Sequence, residues 1–247
     1  MEVHRHTHTD RKKWKEHFWD FVMLFLAISA GFLAENIREK YVEDFREREI
    51  MHTLTQDLQA DVFQIDSLKT KREIRNKNCD SLIYLLTASA KANNKDSRSL
   101  IYFYGRNASR RIHFHPQNGV LLQLRNSGGF RIVHDTSILK NINSYELLLK
   151  ANEENIEVEE KELTEYTQVA AKVFDVRVFQ EMTTGNDIKK PGGNPSLFSA
   201  DPTLLNELSI KLHYWKRTSV STIESLTKLR KTAVKLINRV KNKYHLK

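Results

Sequence analysis

The chain has 247 residues, 40% of them hydrophobic and 29% charged, so it can bury a core and disorder throughout is excluded. Its eight glycines and four prolines are too few for the many turns of an all-β protein of this length, and their scarcity predicts long helices. The formal net charge of +9 would suit a polyanionic partner, but it is unevenly spread. Residues 201–247 hold eleven Lys and Arg against three acidic residues, whereas residues 153–165 hold seven Glu and one Lys.

The most apolar part of the chain is the stretch 18–34, in which Asp20 is the only charged residue. As a helix, these 17 residues would span roughly 25 Å, short for a bilayer core but within the range that bilayer thinning accommodates. Trp19 on one side and Tyr41 on the other are typical of the aromatic belts at membrane surfaces. We therefore predict that residues 18–34 form a transmembrane helix that binds membrane lipid, preceded by a basic, His-containing tail over 1–17.

Two other interpretations of this stretch are a buried core helix and a cleaved signal peptide. A buried core helix would show a polar stripe, and residues 22–34 contain only Ser29 as a polar side chain. A cleaved signal peptide could use Ala27 and Ser29 as its small residues, but the tail before it is long and carries acidic residues. A retained anchor is favoured.

The membrane orientation follows from the flanking positive charges. Residues 1–20 hold five Lys and Arg, and residues 35–54 hold four. By the positive-inside rule this predicts a single-pass protein with its N-terminus in the cytoplasm and its C-terminal domain on the other side of the membrane, which for a bacterial inner membrane is the periplasm.

Residues 35–182 are predicted to form a helical domain. One helix is expected to continue from the span to about Asn76, and a shorter helix to follow over 80–91. Further helices are expected at 100–104, at 119–127 and from a cap at Asp135, Thr136 or Ser137 to Met182. Residues 111–116 alternate like a strand but end in proline, and they are predicted to form an extended connector. The first helix carries an apolar stripe at steps of three or four: Met51, Leu54, Leu58, Val62, Ile65 and Leu68.

The C-terminal part is predicted to form a helix hairpin. Residues 183–200 hold three glycines and two prolines and are the clearest loop of the chain, and Asp201 with Pro202 predicts the next helix start. The basic helix 201–247 should then pack antiparallel on 135–182, with Glu153 near Arg230. The fold class is therefore all-α: a transmembrane helix that continues into an elongated helical bundle or coiled-coil-like domain with a long C-terminal antiparallel hairpin.

No motif for catalysis is found. Phosphate loops, GxGxxG, HExxH, GxSxG and CxxC are all absent from the sequence, so we predict no enzyme, no catalytic residue, no cofactor and no metal site. The alternating histidines His4, His6 and His8 are interpreted as part of the terminal tail. The single cysteine, Cys79, cannot form an intramolecular disulfide and is expected to be a buried thiol.

Two groups of residues are candidate contact sites. The connector and its start combine guanidinium and imidazole groups that suit an anionic ligand, although the arginines could instead pair with glutamates of neighbouring helices. The last helix carries cations at steps of three or four that would share one face and could contact a polyanion. The first group is Arg106, Arg110, Arg111, His113 and His115; the second is Lys228, Lys231, Lys235, Arg239 and Lys243.

Two blocks of the sequence, residues 18–62 and residues 120–145, resemble a family of uncharacterised single-span membrane proteins common in the Bacteroidota. The first block is FWDFVMLFLAISAGFLAENIREKYVEDFREREIMHTLTQDLQADV, and the second is VLLQLRNSGGFRIVHDTSILKNINSY. The resemblance implies a short span followed by a helical domain. It implies no catalytic or binding residue, and the basic C-terminal helix has no counterpart in it.

Taken together, these patterns predict a membrane-anchored helical interaction, scaffold or ligand-sensing accessory protein without catalytic activity. A protein partner or a second copy of the chain is expected to bind it. The alternative is a basic protein that binds nucleic acid or anionic lipid through its C-terminal helix, with nucleic acid disfavoured because the domain is predicted to lie outside the cytoplasm.

Overall fold

The computed structural model describes residues 14–91, 97–126, 128–185 and 187–246. The prediction of an all-α fold is confirmed, because the described residues are almost entirely helical. In chain order the elements are α1 (Trp14–Lys91), α2 (Arg98–Ala108), α3 (Gly119–Asn126), a 3₁₀ turn (Gly129–Arg131), α4 (Thr136–Val173), α5 (Val176–Glu181), β1 (Thr183–Thr184), β2 (Asp187–Ile188) and α6 (Pro202–Tyr244).

The chain divides into two compact units, residues 1–50 and residues 51–247. Among the described residues, α1 is the one helix long and apolar enough to cross a membrane, with an 18-residue window of mean hydropathy 1.7 that is not buried at all. Because the window is exposed, it is not a core helix of the described fold. The predicted tail over 1–17 lies outside the described residues up to position 13, and the helix begins at Trp14.

In the second unit, three long helical segments bury a regular set of side chains: residues 51–91 of α1, α4 and α6. Within each segment the buried positions alternate steps of three and four, so that they recur every seven residues. A seven-residue repeat keeps one seam of each helix turned towards its neighbours. The fully buried members of one such series are Met51, Leu58, Ile65, Arg72, Cys79 and Leu86 in α1, Ile138, Tyr145, Asn152, Glu159, Tyr166 and Val173 in α4, and Leu205, Leu212, Ser219, Leu226, Ala233 and Val240 in α6.

Cross-helix contacts fix the directions of these segments. The Tyr166 ring, late in α4, stacks on Trp215, early in α6, with 5.9 Å between centroids, whereas Asp135 at the start of α4 lies close to Arg239 and Lys243 near the end of α6. Residue numbers therefore rise along α4 as they fall along α6. This is the predicted antiparallel hairpin. The α1 segment runs parallel to α4, since Asp61 bonds to Tyr145 and Arg72 bonds to Glu159.

The register of the hairpin is close to the prediction, but the predicted ion pairs are not those observed. The predicted register, with Glu153 near Arg230, places Tyr166 opposite residue 217. The observed partner of Tyr166 is Trp215, two residues away. Arg230, however, pairs with Asp66 of α1 at 2.7 Å rather than with Glu153. The reason is that a third helix packs against the hairpin and supplies carboxylates of its own.

Two predicted helix ends were wrong. α1 continues unbroken through Asn76 to Lys91, because Cys79, Leu82 and Leu86 prolong its buried seam. α4 ends at Val173 rather than Met182, because Phe174 adopts an extended backbone and inserts its ring where a Cβ of Gly105 would lie.

Other local predictions are confirmed. Asp135 caps α4, and its Oδ1 accepts the N–H groups of Ser137 at 2.8 Å and Ile138 at 3.1 Å. Asp201 caps α6, with Pro202 as the first helical residue. The predicted loop over 183–200 contains the antiparallel pair of β1 and β2, each two residues long. The loop is otherwise irregular over its described residues.

Candidate functional site

The connector, defined here as residues 109–118, joins α2 to α3 without helix or strand. Extended backbone away from a sheet needs other partners for its polar groups, and side chains of α1 supply several of them. The order of the contacts shows that the connector runs antiparallel to α1. Asp61 accepts from the amide of Gln117 (2.8 Å), Gln64 accepts from the amide of His115 (3.3 Å), Arg72 donates to the carbonyl of Ile112, and Arg75 donates to the carbonyl of Arg110 (3.1 Å).

The same two arginines form a buried ionic cluster with Glu159 of α4. Arg72 is 1% exposed and donates through Nη1 to both Glu159 oxygens, at 2.6 and 2.8 Å. Arg75 is 5% exposed and donates through Nη2 to Glu159 at 2.5 Å and to Ser219 Oγ at 2.8 Å. Its guanidinium carbon also lies 4.5 Å from the centroid of the Trp215 ring.

The cluster carries more positive than negative charge, because two guanidinium groups share one carboxylate. Burial lowers the pKa of Arg75, and the nearby Arg72 adds to this effect, while Glu159 opposes it. An arginine nevertheless stays protonated at physiological pH. The Nε atoms of Arg72 and Arg75 are buried without an acceptor among the described residues, so part of the donor capacity of the cluster is unused.

Asp61 fixes the other end of the connector. It is buried, and besides the Gln117 amide it accepts the hydroxyl of Tyr145 at 2.5 Å. Burial raises the pKa of Asp61, although both hydrogen bonds act to lower it. Burial next to this carboxylate also raises the pKa of Tyr145. The bond therefore joins α1, α4 and the connector at one buried point.

Of the predicted ligand residues, Arg111 and His113 pair with Glu160 of α4. Arg111 Nε lies 2.9 Å from Glu160 Oε2, and His113 Nε2 lies 2.8 Å from Oε1. Although burial acts to raise it, the hydrogen bonds from Arg111 and His113 hold the pKa of Glu160 below its ordinary value. The sequence left open whether these arginines bind an anion or pair with glutamates of neighbouring helices. In the structure, Arg111 pairs with a glutamate.

The five predicted residues do not converge on one point. Arg106 donates to Ser109 Oγ at 3.1 Å and lies over the ring of Phe179, 5.9 Å from its centroid. Arg110 and Arg111 line one surface hollow, whereas His113 and His115 line a different one.

The hollow beside Arg110, called here the basic hollow, has a volume of about 420 Å³. It lies between α1, the end of α2 and the connector. Half of its lining side chains are cationic and none is acidic, a composition that suits an anion better than a cation. It is lined by Lys71, Ile74, Arg75, Asn78, Asn107, Arg110, Arg111 and Ile112.

The predicted polyanion contacts all lie exposed on α6. They occupy the side of the helix away from its buried seam. Lys228, Lys231 and Lys235 have no ion pair with any carboxylate in the part of the chain that the structure describes. The hydrogen bonds from the amides of Ile138 and Ser137 lower the pKa of Asp135, and the nearby charges of Arg239 and Lys243 lower it further.

Sequence reasoning missed Arg72, Arg75 and Glu159, the three residues of the buried ionic cluster. The signal was nevertheless present. The apolar stripe ends at Leu68, but the same alternation of steps continues through positions 72, 75 and 79. A charged residue at a seam position predicts a buried partner on another helix, which only the fold identifies.

Comparison with protein-family models, with curated proteins and with solved structures finds no match to this chain.

Proposed function

We propose that the chain is a membrane-anchored helical interaction or ligand-sensing protein without catalytic activity. The observation that carries this proposal is the exposed apolar part of the first unit. Fourteen large apolar side chains between Trp14 and Phe45 are exposed, and an apolar surface of this extent on a soluble monomer normally marks a partner or a membrane. A lipid bilayer covers such a surface on all sides of a helix at once.

The anchor is proposed to lie in a bacterial inner membrane, with the N-terminus in the cytoplasm and the second unit in the periplasm. The excess of one positive charge before the span supports this orientation. The resemblance to single-span proteins of the Bacteroidota supports the span itself and a bacterial source. The seven-residue repeat of buried positions likewise supports the coiled-coil character of the domain.

The second unit is proposed to serve recognition rather than chemistry. Its buried charges bind one another and the backbone of the connector, which is a structural use of these groups. The exposed groups around the connector are then available to a partner, either another protein or a second copy of the chain.

Cysteine labelling tests the proposed location. Cys79 is 1% exposed, and burial raises the pKa of its thiol to about 12, so the native protein should not react with a membrane-impermeant maleimide near pH 7. Ser221 is exposed on α6, and Ser221→Cys provides one reactive thiol. We expect this variant to be labelled in intact spheroplasts, while the unsubstituted chain stays unlabelled. Labelling only after lysis would indicate the opposite orientation. Recovery of the chain in the soluble fraction would reject the anchor.

The second candidate function is binding of anionic lipid or nucleic acid through α6. The exposed lysines without ion pairs among the described residues favour it. Binding of this kind should weaken steeply between 50 and 200 mM salt, as expected for counterion release. Periplasmic labelling of Ser221→Cys would exclude genomic nucleic acid and leave lipid.

A further inference from the structure

We propose that two copies of the chain pair side by side through the outward face of α1, called here the outward seam. Its positions alternate steps of four and three from Gln56 to Tyr84. The inference deepens the interaction part of the proposed function by naming a second copy as the partner. It rests on the proposed anchor only for the common direction of the two copies.

The outward seam lies opposite the buried seam of α1 and holds large apolar side chains. Phe63, Ile74 and Tyr84 are 80%, 55% and 71% exposed, so no described part of the chain covers them. The positions between them are mostly small, which leaves room for a second helix to approach. A seven-residue repeat keeps such a face turned towards one partner helix along its length. The small members are Ala60, Ser67, Thr70 and Ser81.

The charge pattern favours a second copy as the occupant of this face. In a two-fold contact between parallel helices each central residue faces its own copy, so every charge at the centre meets a like charge. The outward seam has one charged member, Lys77. The exposed face of α6 presents four cations between Lys228 and Arg239, and that of α4 presents Glu154 and Lys161. Of the three long helices, α1 therefore has the face that repels its own copy least.

The edges of the outward seam carry opposite charges. Asp66 lies on the edge next to α6, where it pairs with Arg230, and Lys71 lies on the edge next to the connector. In a parallel pair each edge of one helix lies beside the opposite edge of the other, and charges at these positions set the partner and its direction. Asp66 of one copy thus lies on the same side as Lys71 of the other. Two copies in one membrane share the direction that this contact needs.

Disulfide formation in membranes tests the contact directly. Thr70 lies in the outward seam and Thr167 on α4; both are exposed, and each hydroxyl bonds to a carbonyl of its own helix. The native Cys79 is buried and should not interfere. Facing seam positions of a parallel pair lie about 6 Å apart between Cα atoms, which a disulfide can bridge. Under mild oxidation we expect Thr70→Cys to give a covalent dimer and the matched control, Thr167→Cys, to stay monomeric.

Sedimentation equilibrium of the full chain in neutral detergent measures the strength of pairing. Phe63→Asp with Ile74→Asp should raise the Kd of the dimer at least tenfold. The matched control, Ile210→Asp with Tyr214→Asp, places the same charges on exposed apolar positions of α6 and should change Kd less than twofold. Lys77→Leu should lower Kd at least threefold, because it removes the like charges that face each other and adds apolar contact. This variant provides the test should the aspartate variants fold poorly.

The proposal is overturned if Thr70→Cys gives no more covalent dimer than Thr167→Cys, if both aspartate variants weaken pairing equally, or if Lys77→Leu leaves Kd unchanged. Failure of the anchor is a separate outcome. A chain that stays in the membrane but gives no Thr70→Cys dimer rejects this inference alone. A chain recovered in the soluble fraction rejects the anchor, and sedimentation then still decides the pairing.

Discussion

Arg72, Arg75 and Glu159 occupy seam positions, most of which hold apolar side chains in the three long helices. Moving such charges out of water is costly, and the cost is recovered only when their hydrogen bonds are made. Here the bonds join α1 to α4, to α6 and to the connector. The cluster therefore favours one register of three helices and one path of the connector, since a shift by one seam position would leave a guanidinium group buried beside apolar side chains.

Substitution of Glu159 tests this role. Glu159→Gln removes the one carboxylate of the cluster and leaves two buried guanidinium groups uncompensated, so we expect the free energy of unfolding to fall by about 3–5 kcal/mol. Glu160→Gln is the matched control, because it is adjacent on α4 but pairs with the exposed Arg111. It should cost at most about 1 kcal/mol. Urea unfolding of the full chain in detergent measures both losses, and equal losses would show that the cluster has no special role.

At the scale of elements, the end of α4 is set by the packing of its C-cap residue, Phe174, against α2. Gly105 of α2 leaves room for the ring of Phe174, which packs edge-on against Tyr102 at 5.3 Å between centroids. The Tyr102 hydroxyl accepts from the amide of Asp175 at 3.0 Å and donates to the carbonyl of Ser196 at 2.9 Å. The break after Val173 is therefore a packed joint between helices.

Gly105→Ala should disturb this joint. The added methyl group meets the Phe174 ring, and overpacking of this kind costs about 1–3 kcal/mol, more than the ~1 kcal/mol that alanine contributes to a helix. Gly119→Ala is the control, because no atom lies within 4 Å of its Cβ position. Thermal unfolding should show a lower Tm for Gly105→Ala than for the control, with partial recovery when Phe174→Leu is added. A Tm at or above that of the unsubstituted chain would contradict the packed joint.

Local signals predicted the elements better than the contacts among them. Asp135, Asp201 and Pro202 mark helix starts through hydrogen bonds and backbone angles that depend on neighbouring residues only. By contrast, α4 ends before Phe174, and α1 continues past Asn76, because of packing against residues that are distant in the sequence. No local sequence pattern indicates such packing. The connector was predicted as extended, but the buried arginines that hold it come from a helix nearly 40 residues earlier in the chain.

At the scale of the whole molecule, we propose that the two units have different roles. The proposed membrane helix, residues 18–34, belongs to the first unit, and the unit from Met51 onward folds around its own core. The apolar window of the first unit is unburied, while the seams of the second unit bury apolar side chains throughout their length. An anchor and a separate folded domain account for both features without a further partner for the apolar helix.

Extraction of membranes with carbonate at high pH tests this claim most directly. If residues 18–34 are a retained anchor, we expect the intact, uncleaved chain to stay in the membrane pellet. Leu24→Arg with Ile28→Arg should release it, because each arginine at the centre of a span costs about 2.5–3.5 kcal/mol of insertion free energy. Ile210→Arg with Tyr214→Arg places the same pair of charges on exposed apolar positions of α6 and should leave the chain in the pellet. Recovery of the unsubstituted chain in the soluble fraction, or of a chain shortened by cleavage near Ser29, would contradict the account.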